Sequence, residues 1–493
     1  MKRLRGLAPA AALALAAFLA YGGPRLFRLG FYHDDWWFLS VLRFSAPDFS
    51  GRLGGLLADS QVLLLRPLDA PALAGLFSLF GTEPLGWQAA ALTACLFVAL
   101  GARRLLVLYG ASEGVALVGA VLALAYPNKE GAMFWPMAAI VPFSFAFFVW
   151  ASVHHIEWVK DGRRWRLRAA GVCLLASLAF YDQSFFQAAA WALLPFAAEG
   201  ERRRRSVQGL ATAAGVVALF AVYKFVVVPR VFGVVFNKPL ILTVTNALWV
   251  SFRALESCFG WRLFASAAGA VAAALRSAPF AAVAALALPW AALRAADRGP
   301  GAEPGAVRRL ASFGAALWVL GYLPIMVSDY RPTPFSHMNR INYVPAFGLA
   351  LAAASVALSG AHRRRWEALG ATLAGFFLAA HVGFAGYWAE AAGYSEAARR
   401  IVQARLSAWP ADAVLLFNQP TLMVGRRAPL FLASWDATGA VRVWTGDASR
   451  EADSLRPGVR FLPAGVAISE RLLPYAHVRV LDLRSQSLVP LNP

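Results

Sequence analysis

Two adjacent aspartates stand in an aromatic stretch near the start of the sequence. The stretch GFYHDDWWFL, residues 30 to 39, holds Asp34 and Asp35 directly after His33. A carboxylate can act as a general base that removes a proton from an attacking hydroxyl group. Acids beside an apolar run are uncommon by chance, because burying one in the bilayer costs roughly 2.5–3.5 kcal/mol. Asp34 and Asp35 are therefore candidate catalytic residues, and His33 is a candidate neighbour. The alternative is that one of them only caps the following helix.

Two more acids follow later apolar runs. Glu130 lies in AYPNKEGAMFW and Asp182 in AFYDQSFF. Their recurrence at the ends of predicted helices suggests a shared polar cavity, with Glu130 as a catalytic candidate and Asp182 in its lining. The alternatives are a surface ion pair of Glu130 with Lys129 and a helix cap at Asp182.

Arginines form a second group near the same predicted surface. Arg66 lies in RPLDAP, and Arg331 and Arg340 lie in DYRPTPFSHMNRINYVP with His337 between them. A guanidinium donates two parallel hydrogen bonds to a phosphate, so these arginines are candidate phosphate ligands. Binding of lipid headgroups is the alternative.

Long apolar runs must hold these residues in place. The 493 residues are 59% hydrophobic and 15% charged, with a mean hydropathy of +0.55, which indicates a multi-spanning helical membrane protein. Short basic clusters lie between the runs and mark the cytoplasmic side. Because these clusters form no single basic face, the net charge of +20 does not indicate nucleic-acid binding. About eleven crossings are predicted, at 6 to 22, 86 to 102, 113 to 127, 137 to 156, 168 to 181, 184 to 198, 208 to 229, 263 to 293, 310 to 327, 343 to 360 and 368 to 388. Arg276 and Pro279 interrupt the run at 263 to 293, so the alternative there is a surface helix followed by one crossing.

This topology puts the N-terminus in the cytoplasm and three loops outside, at residues 30 to 85, 230 to 262 and 328 to 342. The first run also resembles a signal peptide, whose cleavage leaves every later segment on the same side. Residues 1 to 389 form the membrane module. Residues 390 to 493 are predicted to form a small extracytoplasmic α/β domain, with a helix in AEAAGYSEAARRIVQARL and strands in AVLLFNQP, PLFLASW, VRVWTGD and HVRVLDLR.

Carboxylates and phosphate-binding arginines at one membrane surface indicate transfer of a sugar from a lipid-linked phosphate. A carboxylate takes the acceptor's proton, and the arginines stabilise the departing lipid phosphate. A transporter or lipid flippase is the main rival, although its charges typically lie at mid-depth on broken helices. A polysaccharide ligase or polymerase is a second alternative.

An ordered series of short motifs over residues 1 to 390 resembles a known family. The series is HDDWW, RPL, YPNKE, YDQ and RINYVPAFG. It is similar to the GT-C glycosyltransferases, especially the protein O-mannosyltransferase branch that carries C-terminal TPR repeats. The resemblance implies that Asp34 is the catalytic aspartate with Asp35 beside it, that Arg66 and Glu130 belong to the site, and that Arg340 and Tyr343 lie where the lipid phosphate binds.

The sequence also departs from that branch. Gln88 stands where the branch shows His and Asn, Asp182 is a looser match to its KE motif, YPNKE is one residue shorter, and no TPR repeat follows. The resemblance implies a polyprenyl-phosphate-linked donor and a metal-free reaction, although Asp34 and Asp35 are also able to bind a divalent cation. The acceptor is a glycan, a lipid or a protein, and membrane lipids are the remaining partner.

Overall fold

The computed structural model describes residues 2–194, 200–234, 240–295, 304–356, 363–410, 412–468, 471–485 and 487–490. Helices occupy the chain up to residue 404, and strands follow from residue 414. The helices are α1 (Lys2–Ala20), α2 (Asp34–Phe44), α3 (Phe49–Asp59), α4 (Asp69–Phe80), α5 (Pro84–Leu108), α6 (Glu113–Ala125), α7 (Glu130–Phe134), α8 (Ile140–Asp161), α9 (Arg164–Phe180), α10 (Gly200–Val222), α11 (Val228–Phe232), α12 (Val244–Phe259), α13 (Trp261–Ser277), α14 (Pro279–Ala295), α15 (Pro304–Met326), α16 (Tyr343–Val356), α17 (Arg363–Ala404) and α18 (Ser434–Thr445).

Six helical segments of the described chain are long and apolar enough to cross a membrane. They are Pro84–Leu108, Pro136–Asp161, Gly200–Phe232, Val244–Ser277, Gly305–Met326 and Arg364–Ala404. Shorter apolar helices accompany them at Ala8–Ala20, Asp69–Phe80, Glu113–Ala125 and Pro279–Ala295. The predicted fold class, a helical membrane bundle with a small C-terminal α/β domain, is confirmed, and the protein is an integral membrane protein.

Two predicted crossings differ from the helices that form. In place of the crossing at 184 to 198, short 3₁₀ turns occupy Asp182–Phe185 and Gln187–Leu193. The polar side chains in this run explain the break, because Gln183 and Gln187 donate to the backbone carbonyls of Ile341 and Leu320. The crossing at 263 to 293 is divided between α13 and α14 at Ala278, since Pro279 lacks the N–H that would continue the helix. Residues 195–198 and 357–360 of the predicted crossings lie outside the described residues.

Arginines of two basic clusters lie together at one end of the bundle, named here the basic end. Arg104 and Arg166 both pair with Glu157 near the end of α8, and Arg103 pairs with Glu113. At 1.5 Å per residue, the 22 residues of α8 span about 33 Å, which matches the thickness of the hydrocarbon core. The start of α8 therefore lies at the opposite membrane surface, where Trp135 precedes it.

Helix α17 leaves the bundle and leads into the C-terminal domain. It runs unbroken for 42 residues, so the predicted domain boundary at residue 389 lies inside it. Residues 389 to 404 are rich in Ala, Glu and Arg and contain no proline, so nothing ends the helix there.

The C-terminal domain is built on a four-stranded sheet with the order β4-β1-β8-β9. Strands β4, β1 and β8 are parallel and β9 pairs antiparallel with β8, while β5, β6 and β7 form a separate antiparallel sheet. The strands are β1 (Val414–Asn418), β2 (Met423–Val424), β3 (Ala428–Pro429), β4 (Ala452–Ser454), β5 (Arg460–Leu462), β6 (Gly465–Ile468), β7 (Arg471–Leu473), β8 (Val478–Asp482) and β9 (Ser487–Pro490). The strands predicted in AVLLFNQP and HVRVLDLR form. Those predicted in PLFLASW and VRVWTGD are wrong, because most of those residues belong to α18 and the loop before it.

The domain packs directly on helix α2 of the membrane module. Helix α18 lies against α2, where the Trp36 and Trp444 rings meet edge to face at 5.4 Å. Gly439 makes this approach possible, since a Cβ atom there would stand 2.5 Å from the carbonyl carbon of Trp36. Because buried residues of both parts belong to one continuous hydrophobic core, α18 holds a fixed position over α2.

Candidate active site

The turn before α2 directs its two aspartates into different surroundings. His33 adopts φ 48°, a backbone angle that residues with a Cβ rarely take. The Asp35 carboxylate holds this turn, because it accepts hydrogen bonds from the backbone N–H groups of Tyr32 at 2.7 Å and Met137 at 2.8 Å. Asp35 is fully buried, and burial raises its pKa well above the usual value, against the lowering effect of these hydrogen bonds. Asp35 therefore fixes the backbone, while Asp34 is left 39% exposed.

Asp34 is held by side chains rather than by the backbone. The Trp435 indole N–H donates to its Oδ1 at 2.9 Å, and the His33 Nδ1 lies 3.3 Å from the same oxygen. Trp435 comes from the start of α18, so the C-terminal domain supplies part of this site. The arrangement orients the carboxylate without pairing it with a lysine or an arginine among the residues that the structure describes.

The His33 ring lies in an aromatic group that joins three distant parts of the chain. It stacks on Trp135 with a centroid distance of 5.4 Å and more loosely on Trp435 at 6.1 Å. His337 meets it edge to face at 5.3 Å. The Oδ2 atom of buried Asp436 lies 3.4 Å from the His33 Nδ1.

Arg340 stands on the same aromatic wall. Its guanidinium lies 4.8 Å from the centroid of Trp135, the indole on which His33 stacks. Its described contacts are with the His337 carbonyl and the Met338 sulfur, both at 3.5 Å, and no carboxylate pairs with it in the described chain. Burial lowers the pKa of His337 to about 3, with His33 and Arg340 adding to the shift, so this ring is neutral near pH 7. The Arg340 charge is therefore left available for an anion, on the indole that also contacts His33.

Glu130 occupies a dry position instead of an open cavity. It is fully buried at the start of α7, where its carboxylate receives hydrogen bonds from Arg427 and Asn339. Arg427 belongs to the C-terminal domain, is 3% exposed, and also donates to Ser266 while its guanidinium lies over the Phe384 ring. Burial raises the pKa of Glu130, and the charge of Arg427 opposes that rise. Glu130 thus joins the domain to the bundle through a buried ion pair.

Arg66 and Asp182 lie together in a second polar group. The Arg66 guanidinium lies 4.4 Å from the centroid of the Tyr181 ring, and Asp182 forms an ion pair with Lys224. Asp69, at the start of α4, is buried, and burial raises its pKa to about 7 while nearby Arg66 opposes the rise. Asp69 follows Arg66 in the RPLDAP segment and was missed from the sequence, where it resembles an ordinary helix-start acid.

The other predicted site residues have structural contacts. Arg331 donates to the backbone carbonyls of Ser328 and Tyr330. Tyr343 is buried, with its hydroxyl 3.4 Å from the Cys95 sulfur and its ring under the Lys129 ammonium group. Gln88 is also buried and donates to the carbonyls of Gly30 and Phe134, so it ties the first outer loop to α7.

Trp435, Asp436 and Arg427 were not predicted from the sequence. The carboxylate of Asp436 accepts from the backbone N–H groups of Leu432 and Ala433, which fixes the start of α18. The sequence does contain a helix-start signal here, because SWD at residues 434 to 436 puts an acid in the first helical turn. The apolar run before it favoured the prediction of a strand instead. Across the described residues, no group of three or more His, Cys, Asp or Glu side chains is arranged to hold a metal ion.

No family model and no curated protein matches the sequence. Among solved structures, the crystal structure of ArnT from Cupriavidus metallidurans bound to undecaprenyl phosphate is similar, with 13% identity, a TM-score of 0.38, and coverage of 90% of this chain and 89% of that chain. At this TM-score the similarity assigns no role to any residue here.

Proposed function

We propose that the protein is a membrane glycosyltransferase. It transfers a sugar from a polyprenyl-phosphate-linked donor to a hydroxyl group of an acceptor on the extracytoplasmic side. The observation that carries the proposal is the connection between Asp34 and Arg340 through two rings. Asp34 is partly exposed and contacts His33, His33 stacks on Trp135, and Arg340, which has no carboxylate partner among the described residues, lies over the same indole. A base and an anion-binding group next to each other are what this transfer requires.

The proposed reaction needs one proton acceptor and one group that stabilises charge. Asp34 takes the proton of the acceptor hydroxyl as its oxygen bonds to the anomeric carbon of the sugar. The bond between that carbon and the phosphate oxygen breaks at the same time, and the lipid phosphate leaves with the electron pair. Arg340 donates charge-assisted hydrogen bonds to this phosphate as its negative charge grows.

Neighbouring residues orient these two groups. The Trp435 N–H and the His33 ring hold the Asp34 carboxylate, while Asp35 fixes the turn that carries it. His337 remains neutral, so it adds no second positive charge that would neutralise Asp34. We assign Glu130, Gln88 and Tyr343 to positioning, because all three are buried.

Arg66 and Arg331 have different proposed tasks. Arg66 is partly exposed and lies on Tyr181, so we assign it to a donor-phosphate contact at the second polar group, lined by Asp182. Arg331 already donates to two backbone carbonyls, which suits a residue that shapes the loop beside Arg340.

The sidedness of the proposal rests on the distribution of charge. The arginines around Glu157 and Glu113 gather at the basic end, and basic loops favour the cytoplasm. Asp34 and the C-terminal domain lie at the other end, so we assign them to the extracytoplasmic side and the N-terminus to the cytoplasm.

A transfer assay with purified protein tests this proposal. The wild-type protein in liposomes is given a radiolabelled polyprenyl-phosphate sugar and a membrane glycan extract, and labelled products are counted. Asp34→Asn is expected to lower the rate roughly 10²- to 10⁴-fold, the usual contribution of a general base. Glu83→Gln, an exposed acid between α4 and α5, is the matched control and should retain the rate.

Two outcomes would contradict the proposal. One is full transfer by Asp34→Asn, which would remove Asp34 as the base. The other is uptake of a solute that depends on an ion gradient and gives no covalent product, which would support the transporter alternative. A chelator arm belongs in the same assay, because the proposed metal-free reaction should continue at its normal rate in EDTA.

A further inference from the structure

A cavity lined by both polar and apolar side chains lies beside the candidate active site on the C-terminal domain. It has a volume of about 330 Å³, and its lining includes Trp37, Ser434, Trp435, Thr438, Arg442 and Glu451. This volume is near the lower end of the range for small-molecule sites. The cavity lies where α2, α18 and the four-stranded sheet meet. The membrane module and the C-terminal domain therefore both contribute to it.

The lining combines aromatic surfaces with hydrogen-bonding groups of both kinds. Trp37 and Trp435 offer indole surfaces, while the Ser434 hydroxyl and the Glu451 carboxylate offer oxygen atoms. The Arg442 guanidinium lies 5.9 Å from the centroid of Trp37, and its Nε donates to the Arg450 carbonyl. Arg442 is partly exposed, and among the described residues no carboxylate forms an ion pair with it.

Trp435 connects this cavity to Asp34. The indole that lines the cavity is the one whose N–H donates to the Asp34 carboxylate at 2.9 Å. A molecule bound against Trp435 therefore has a part of its surface close to the proposed base. A lipid chain would be a poor occupant, because charged groups line the cavity and would lose hydration without gaining partners.

A sugar ring matches this combination of groups. Its C–H faces are apolar and pack on indole rings, while its hydroxyl groups donate to carboxylates and accept from guanidinium groups. We propose that this cavity binds the non-reducing or reducing end of the saccharide acceptor, and that the C-terminal domain thereby selects a glycan instead of a protein or a lipid. The inference rests on the proposed transfer reaction and names the substrate class of that same site.

Binding to full-length protein in detergent tests the inference separately from catalysis. An array of defined mono- to tetrasaccharides is probed with wild-type protein, and the affinity for each bound saccharide is then measured by titration. Arg442→Ala is expected to weaken binding roughly 10- to 100-fold, because it removes a charged hydrogen-bond donor. Glu451→Gln is expected to weaken binding about 3- to 10-fold. Glu451 forms an ion pair at 2.8 Å with Arg471 of the same lining, and because both side chains are largely exposed, loss of this pair should cost little stability.

Two further variants show whether weakened saccharide binding is specific to the cavity. Arg460→Ala removes an exposed arginine of the same domain and should bind as wild type does. Asp34→Asn should also bind the saccharide normally while it fails in transfer. The melting temperature of Arg442→Ala is compared with that of wild type. A difference of less than about 2 °C corresponds to a small change in stability and shows that weak binding is not caused by unfolding.

Each result has one meaning for the inference. Absence of saccharide binding by wild type, or equal binding by wild type, Arg442→Ala and Glu451→Gln, would overturn it. If Asp34→Asn retained transfer while the cavity variants lost saccharide binding, the proposed base would be wrong and the glycan site would stand. In a transfer assay, the supporting result is a raised KM for the saccharide in Arg442→Ala with kcat largely preserved.

Discussion

Asp34 and Glu130 both follow an apolar run at the same membrane surface, yet their carboxylates meet opposite conditions. Asp34 is 39% exposed and accepts a hydrogen bond from a neutral indole, whereas Glu130 is fully buried and pairs with Arg427. An exposed carboxylate can exchange protons with a substrate. A buried one that is paired with an arginine is closed to substrate and serves to hold two parts of the protein together.

The difference shows that the position of an acid in the sequence does not define its task. Both residues satisfy the same pattern, an acid at the end of an apolar helix. Their tasks are decided by residues of the C-terminal domain, Trp435 for Asp34 and Arg427 for Glu130. The C-terminal domain therefore contributes side chains to the candidate site.

The largest expected effect comes from breaking the buried pair. Arg427→Ala leaves the Glu130 charge buried without its cation and should lower the free energy of unfolding by roughly 3–5 kcal/mol. Glu130→Gln in the same chain should restore much of that loss, because the uncompensated charge disappears. Chemical unfolding in detergent micelles measures both. Arg426→Ala, at the exposed neighbouring position, is the control and should change stability by less than about 0.5 kcal/mol.

Removing the Arg340 charge should weaken binding of the sugar donor and leave the stability of the fold unchanged. Arg340→Ala is expected to raise KM for the polyprenyl-phosphate donor roughly 10- to 100-fold, because a charged hydrogen bond to phosphate is lost. Arg331→Ala, in the same loop, should change KM less than about 3-fold, since its guanidinium binds backbone carbonyls. Equal effects in steady-state kinetics would remove the distinction between the two arginines.

The smallest expected effect is a change in how stability depends on pH. The pKa of His337 is near 3 in the folded protein and near 6.5 when unfolded, so acid protonates the unfolded chain first. The contribution of the neutral His337 ring to the free energy of unfolding is fully present above pH 6.5. It is lost as the pH falls toward 3, and the loss amounts to about 1–2 kcal/mol at pH 5. His337→Gln should make the unfolding free energy less sensitive to pH between 6.5 and 5. An unchanged slope would show that burial does not lower the pKa of the His337 ring.

The sequence was informative where local pattern decides structure. Apolar runs and basic clusters predicted the helical membrane bundle, and a shift in composition predicted the small α/β domain. The HDDWW and HMNRINY segments predicted side chains that do lie near each other, since His33 contacts His337 in the structure.

Contacts between distant segments were beyond a single sequence. Arg427 and Glu130 are 297 positions apart, and Trp435 and Asp34 are 401 apart, so no spacing connects them. The start of α18 was predicted as a strand because its aromatic and apolar residues also suit a sheet. The break after α9 was missed because two buried glutamines interrupt an otherwise apolar run.

A paired measurement of Asp34→Asn and Glu130→Gln tests the central comparison most directly. The transfer rate per folded molecule and the melting temperature are measured for both variants in the same liposome preparation. Asp34→Asn should lose transfer and keep its melting temperature, while Glu130→Gln should melt earlier and keep most of its transfer rate once folded protein is counted. If Glu130→Gln lost transfer at an unchanged melting temperature while Asp34→Asn remained active, the assignment of the base to Asp34 and of the structural pair to Glu130 would be contradicted.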